Sequence, residues 1–245
     1  KLKEKYILLD YGVIMDHEVG FPMHISPKEL HGIVLSHAHL DHSGLTPLFY
    51  IHGKIPFYGI EPTFQLSSLL IKDFLHLSGY YLPYEYIDLQ TMMDHCVNTK
   101  YRSEFAVSDA KITLLNAGHI PGSSQVLVEY EGDRILYTGD FNTIPTRLLN
   151  PADQDYGDLD ALIIEGTYAD EDHPNRQELE RDFISRATEV VEGGGTVLVP
   201  AFGVGRSQEI LCILRAYHFE HPIFVDGMAV DAIELLMNNK ESLRD

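Results

Sequence analysis

The chain has 245 residues, 44% hydrophobic and 22% charged, the balance of a globular protein with a real core and room for one large domain or two ordinary ones. No apolar run approaches the roughly 18 residues of a membrane helix. The opening "KLKEKYILLDYG" is short, broken by acids and without a small-residue cleavage site, which argues against a signal peptide. The formal net charge of −19 argues against broad non-specific nucleic-acid binding, yet leaves room for an enzyme whose bound divalent cations cancel local charge. Cys96 and Cys212 have no metal-binding or redox spacing, so a reducing, cytoplasmic setting is expected.

In chain order, short runs rich in branched residues predict strands at Tyr6–Leu9 and Ile33–Leu35, and a helix follows over about Pro62–Leu77. Strands are then predicted at Ile112–Leu115, Gln125–Tyr130 and Ile135–Tyr137, the last two paired across the turn "EGD", and at Leu162–Ile164. A helix over Glu178–Glu192 has Leu179, Phe183, Ala187, Val190 and Val191 on one face and ends at Gly193–Gly195. A strand at Thr196–Val199, a helix at Ser207–Tyr217, a strand at Ile223–Val225 and a helix at Ala229–Asn238 complete the pattern. This late alternation of helix and strand predicts a parallel α/β unit, with the change of domain near Tyr168–Asn175.

The densest chemistry lies in "VLSHAHLDHSG", residues 34–44. His37, His39, Asp41 and His42 follow a buried strand, at the carboxyl end where α/β sites lie. His37 and His39, two apart, point the same way in an extended segment, and a short helix is expected after Ser43 and Gly44. Imidazole and carboxylate suit Zn²⁺ at about 2.0–2.2 Å. Four such groups so close together can serve two cations roughly 3.5–4 Å apart. Two further strand ends offer partners: "LLNAGHIPGSS" gives His119 and "ILYTGDF" gives Asp140, each after a glycine that lets backbone approach closely. Asp10 in "ILLDYG" suits hydrogen-bonded support of the metal loop better than ligation. The competing reading is a His-rich surface loop, which the three coordinated strand ends oppose.

"SHAHLDH", "AGHIPGS" and "YTGDF" resemble the successive motifs of the metallo-β-lactamase fold. The resemblance implies an αββα sandwich (α/β, α+β) with two zinc ions. His37, His39 and His119 would hold one ion, Asp41 and His42 the other, with Asp140 bridging and Asp10 in support. Farther on, "LDALIIEGTYADEDHPNR", "GTVLVPAFGVGRSQE" and "IFVDGMA" resemble the β-CASP nucleases, and the likeness covers nearly the whole chain. Glu165 of "EGTY" matches the first extra motif of that branch. It is closer to the RNA-cutting, cleavage-and-polyadenylation-type members of archaeal or bacterial kind than to DNA-repair members, which carry aspartate there. The resemblance implies a metallo-β-lactamase part over residues 1–167 and the start of an inserted parallel β-CASP domain over 168–245. The family's later motifs, including a histidine that completes the second metal shell, find no match before Asp245, so an incomplete chain is expected.

Phosphodiester hydrolysis needs an activated water, charge relief on phosphoryl oxygens and a proton for the leaving alkoxide. Asp41 is the candidate to orient or deprotonate the water and Glu165 to position a proton donor. Arg206 and Ser207, at a helix N-terminus, are candidates for a backbone phosphate. The plainer alternatives are a strand-end cap for Glu165, an N-cap for Ser207, and a packed loop rather than a base-stacking platform for "YYLPYEY", residues 80–86. The expectation is a zinc-dependent ribonuclease acting on single-stranded RNA, endonucleolytic with a 5′-to-3′ exonuclease activity in view. Its partners would be RNA and a homodimer or RNA-processing complex, without membrane. A thioester or lactone hydrolase of the same fold, or an inactive scaffold subunit, are the rivals.

Overall fold

The computed structural model describes residues 6–15, 19–78 and 82–244. Its first sheet is parallel throughout and runs in the order β1 (Tyr6–Leu9), β4 (Leu30–Val34), β5 (Phe57–Ile60), β6 (Cys96–Thr99). β2 (Ile14–Met15) and β3 (Val19–Gly20) form a separate small antiparallel pair. The helix α1 (Leu40–Ser43) follows β4, while α2 (Glu61–Ser78) and α3 (Tyr86–Asp94) make the crossover from β5 to β6. The second sheet runs β11 (Ala161–Ile163), β10 (Asp133–Tyr137), β9 (Ser124–Tyr130), β8 (Ala110–Asn116), β7 (Glu104–Val107). All its pairs are antiparallel except β10 with β11. The β9–β10 turn is the expected one: Glu131 and Gly132 both have positive φ, 53° and 101°, the geometry that matches strand twist in a two-residue hairpin loop.

Alternating side chains explain the layering. Val34 and Ile60 from the first sheet meet Ile112, Leu114 and Val126 from the second in one buried cluster, so the sheets pack face to face. On the outer face of the first sheet, Ile33, Leu35 and Phe57 meet Phe64, Ile71 and Phe74 of α2 and Leu89 and Met92 of α3. The outer face of the second sheet presents Leu115, Leu127 and Leu136 to Tyr156 and Leu159, which belong to a loop rather than a helix. Among the described residues no helix is long and apolar enough to cross a membrane.

The late helices form as expected: α4 (Arg176–Glu192), α5 (Arg206–Ala216) and α6 (Met228–Met237). The Asn175 side chain caps α4 by accepting the Glu178 N–H at 3.2 Å. The two strands predicted between them do not form. Thr196–Val199 and Ile223–Val225 join no sheet among the described residues, and Leu198 and Phe224 are 87% and 93% exposed. A strand exists only through a neighbour's hydrogen-bond ladder, and neither run has one here. The structure also corrects the short helix of the metal motif. It starts at Leu40 with His39 as its N-cap and ends before Gly44, so Asp41 and His42 lie on the helix itself. Of "YYLPYEY", Tyr80 and Tyr81 lie outside the described residues. Tyr84 is buried and donates to the Gly44 carbonyl at 2.6 Å, which fits the packed-loop reading.

A buried ionic network ties α4 and α5 to the segment after the second sheet's metal-motif turn. Glu209 on α5 accepts the Arg147 and Leu148 N–H groups at 2.9 and 2.7 Å and pairs with Arg176. Glu180 on α4 accepts from Arg147 at 2.7 Å and Arg176 at 3.0 Å. Burial alone would raise the Glu180 pKa, but the two arginines hold it below the ordinary carboxylate range. Removing one member leaves buried donors without a partner. Glu209→Ala is therefore expected to lower stability by roughly 2–4 kcal/mol, read as a lower urea midpoint at unchanged m-value. A midpoint equal to wild type would show the network to be dispensable.

Candidate metal centre

Five strand ends bring acidic and imidazole side chains together at one rim of the two sheets. Asp10 follows β1, His37 follows β4, His119 follows β8, Asp140 follows β10 and Glu165 follows β11. The glycines before His119 and Asp140 take the positive φ their turns need, 66° at Gly118 and 53° at Gly139. A side chain at Gly139 would press on Ser36, 2.8 Å away, so the Asp140 turn lies directly on the metal loop. Ser123 of "HIPGSS" braces the other turn: its hydroxyl accepts the His119 N–H at 3.1 Å.

His37, His39, His119 and Asp140 bring one donor atom each to within 4.8 Å of one another. His119 Nε2 lies 3.2 Å from His39 Nδ1 and 3.5 Å from Asp140 Oδ2, and His37 Nε2 lies 3.9 Å from the same oxygen. Donors around a tetrahedral cation with bonds of about 2.1 Å stand roughly 3.4 Å apart, so the set has the right spacing. His37 Nε2 is also a buried nitrogen without a hydrogen-bond partner, which is costly unless something else occupies its lone pair. On the other side of Asp140, its Oδ1 lies 3.4 Å from His42 Nε2, and Asp41 Oδ2 lies 3.7 Å from that nitrogen. The side chain of Asp41 is 58% exposed. Asp10, His37 and His42 also fall within range of one another, but the Asp10 oxygens are already occupied. Oδ1 accepts the Ser36 N–H at 2.7 Å, and Oδ2 contacts the Ser36 hydroxyl, His42 Nδ1 and the Tyr137 hydroxyl at 2.6, 2.7 and 2.8 Å. Asp10 therefore supports the loop and faces away from a cation.

Sequence reasoning passed over Gly12. A Cβ there would sit 1.8 Å from the Asp41 carbonyl oxygen. That close approach lets Tyr11 N–H and Val13 N–H donate to the His42 and Leu40 carbonyls at 2.7 and 3.0 Å, clamping α1. The one local hint was the glycine of "DYG", three residues past the end of a strand. Glu165 is fixed by accepting the Phe141 N–H at 3.4 Å and the Thr167 N–H at 3.1 Å, which joins its turn to that of Asp140. Arg206 is exposed at the start of α5, and the Ser207 hydroxyl donates to the Phe202 carbonyl at 2.6 Å, closing the preceding loop.

Electrostatics divides the histidines. Burial, helped by the neighbouring imidazoles of His42, His119 and His39, holds His37 well below its ordinary pKa. Burial lowers His39 to about 4, with His119 adding to the effect and Asp41 and Asp140 opposing it. His119 is lowered by burial against the pull of Asp140 and Glu165. These rings are neutral at pH 7, the form a cation needs. For His42 burial works against the charge, but with no cation beside it the carboxylates of Asp10 and Asp140 outweigh burial and raise the pKa to about 10, so a cation bound at Nε2 would have to displace that proton. The linkage has two signs. The depressed imidazoles stabilise the fold above about pH 6.5, and this is lost as pH falls through about 4. The raised His42 stabilises it below about pH 6.5 and loses that as pH rises through about 10. Protein held in chelator is expected to melt highest near pH 6.5, with His42→Gln flattening the alkaline side. A melting temperature that climbs steadily to pH 9 would contradict this.

Comparison with known proteins agrees with the geometry. The chain is 42% identical over 241 residues to RNase aCSPSF2 of Saccharolobus solfataricus, covering 97% of this chain and 49% of the relative. It is 38% identical over 253 residues to the probable RNase MJ4 of Methanocaldococcus jannaschii, covering 100% and 59%. To the transcription termination factor FttA of Pyrococcus abyssi it is 36% identical over 255 residues, covering 94% and 39%. The chain thus spans about half the length of the curated relatives it matches. Residues 1–163 match the metallo-beta-lactamase superfamily domain, the part that contains every member of the histidine and aspartate cluster, and the chain belongs to that superfamily.

Proposed function

We propose that this chain carries the catalytic centre of a zinc-dependent ribonuclease that hydrolyses phosphodiester bonds of single-stranded RNA. The observation that carries the reading is the two-sided setting of Asp140, with Oδ2 toward His37 and His119 and Oδ1 toward His42. Such a setting supports a donor set for two cations that share one carboxylate. His37, His39 and His119 would hold one ion, and Asp41 and His42 the other. Two zinc ions would supply a water with pKa near about 7 and positive charge for the phosphoryl oxygens. RNA as the substrate is supported by relatives that bear the names RNase and transcription termination factor. The latter name also supports work within an RNA-processing complex. Two unpaired cysteines suit a cytoplasmic setting. The change from sheets to helices supports a metallo-β-lactamase part over residues 1–167 and a β-CASP part from 168.

Each side chain has work matched to its placement. Asp41, exposed beside His42, orients the attacking water or takes its proton. Glu165 holds the turn after Asp140 and positions the group that protonates the leaving oxygen. Val204, just before α5, packs with Ala38 and Ile120, which neighbour the three histidines in sequence. The start of α5 thereby abuts the histidine cluster, and the positive end of its dipole favours an anion there, with the Gly205, Arg206 and Ser207 N–H groups already engaged within the turn. Arg102, Arg134, Arg147, Arg176 and Arg186 are paired with carboxylates. Arg206, like Arg181, Arg215 and Arg244, has no ion pair among the described residues; standing at the start of α5, it is the candidate for a backbone phosphate, with Ser207 shaping the loop that presents it.

Asp140→Ala in the full chain is expected to lower cleavage of a labelled single-stranded RNA by roughly 10³-fold or more, with the circular dichroism spectrum unchanged. Full activity at matched metal content would refute the reading, and hydrolysis of a thioester panel without RNA cleavage would reassign the site to small molecules. Arg206→Ala should raise KM for RNA about tenfold and reduce the salt slope by about one, with metal content unaltered. An unchanged KM and slope would remove Arg206 from the substrate site.

A further inference from the structure

The Asp10 contacts fix where protons sit on the rings beside them. An ionised carboxylate only accepts hydrogen bonds. His42 Nδ1, 2.7 Å from Asp10 Oδ2, must therefore carry the proton, which in the neutral ring leaves the lone pair on Nε2, the atom that faces Asp140. The Ser36 hydroxyl has one hydrogen and gives it to Asp10 at 2.6 Å. Toward His37 Nδ1, 3.0 Å away, the same oxygen can only accept, so that ring donates from Nδ1. The lone pair of His37 is then on Nε2, the buried nitrogen without a partner. One carboxylate thus selects the tautomer of a histidine on each side of Asp140.

The remaining contact comes from the other sheet. Tyr137 ends β10, three residues before Asp140, and its hydroxyl donates to Asp10 Oδ2 at 2.8 Å. Asp10 itself has φ of 60°, an uncommon value for a residue with a side chain, held by these four contacts. We propose that Ser36 and Tyr137 are positioning residues of the metal centre. Ser36 relays the Asp10 carboxylate to His37, and Tyr137 fastens Asp10 to the strand that carries Asp140, so one buried acid orders both halves of the site. This rests on the cluster being a metal centre, not on its acting on RNA.

Ser36→Ala and Tyr137→Phe each remove one hydroxyl. Zinc affinity of the full chain would be measured by stepwise chelator competition, with the visible spectrum of the cobalt-loaded protein as a second readout. Ser36→Ala is expected to weaken the binding step that involves His37, and Tyr137→Phe the step that involves His42, each by about 10- to 100-fold. Each should shift the cobalt bands while leaving the chelated protein's melting temperature within a few degrees of wild type. Wild-type affinities and spectra in both variants would overturn the proposal. So would an equal loss at both steps together with a large drop in melting temperature, because that marks mere structural damage. Should one variant fail to fold, the other reads the relay alone. Wild-type protein that binds zinc with this dependence yet leaves RNA intact would fail the ribonuclease reading and leave this one standing.

Discussion

The carboxylate of Asp140 is the constraint around which the molecule is arranged. It has to lie within about 4 Å of histidines from two different strand ends and a third on a helix, with each oxygen turned to a different group. Strand ends at the rim of two packed sheets can hold such a pattern because the ladders behind them are rigid. The parallel sheet delivers Asp10 and His37, the mixed sheet delivers His119, Asp140 and Glu165, and the buried cluster between them sets their separation. The clamp of residues 11–13 on α1 and the Ser124 N–H donated to the Ser36 carbonyl at 2.7 Å lock the metal loop to both sheets.

Much of this was legible in the sequence because it is local. The motif H-x-H-x-D-H concentrates four donors at one strand end, and a glycine before a polar residue after an apolar run marked the turns of His119 and Asp140. The strands that carry them were read to within a few residues, since period-two burial needs no knowledge of the partner. Ser36, Tyr137 and Gly12 were not legible. Their importance lies in contacts across 26, 127 and about 30 residues of chain, for which a single sequence carries little local mark beyond the position of the glycine in "DYG". β6, with its exposed Val97, and the short β5 with its internal Gly59 likewise gave too weak a pattern. The opposite failure occurred at Thr196–Val199 and Ile223–Val225. Composition marked them as strands, but a strand is a property of two segments, and these have no partner among the described residues.

A net charge of −19 and the proposed RNA substrate are compatible if recognition is confined to a few places. Most ion-paired arginines serve internal carboxylates, and the network of Arg147, Arg176, Glu180 and Glu209 fixes α5 against the segment after Asp140. Arg206 stands in the same first turn of that helix as Glu209. The network therefore helps set the distance between the histidine and aspartate cluster and the proposed phosphate contact, a distance that loosely attached helices would not keep.

Anomalous scattering at the zinc edge from crystals of the full-length protein tests the central claim most directly. Two peaks roughly 3.5–4 Å apart, one among His37, His39 and His119 and one beside His42, with Asp140 between them, are the predicted result. A single peak, or peaks remote from Asp140, would contradict the account.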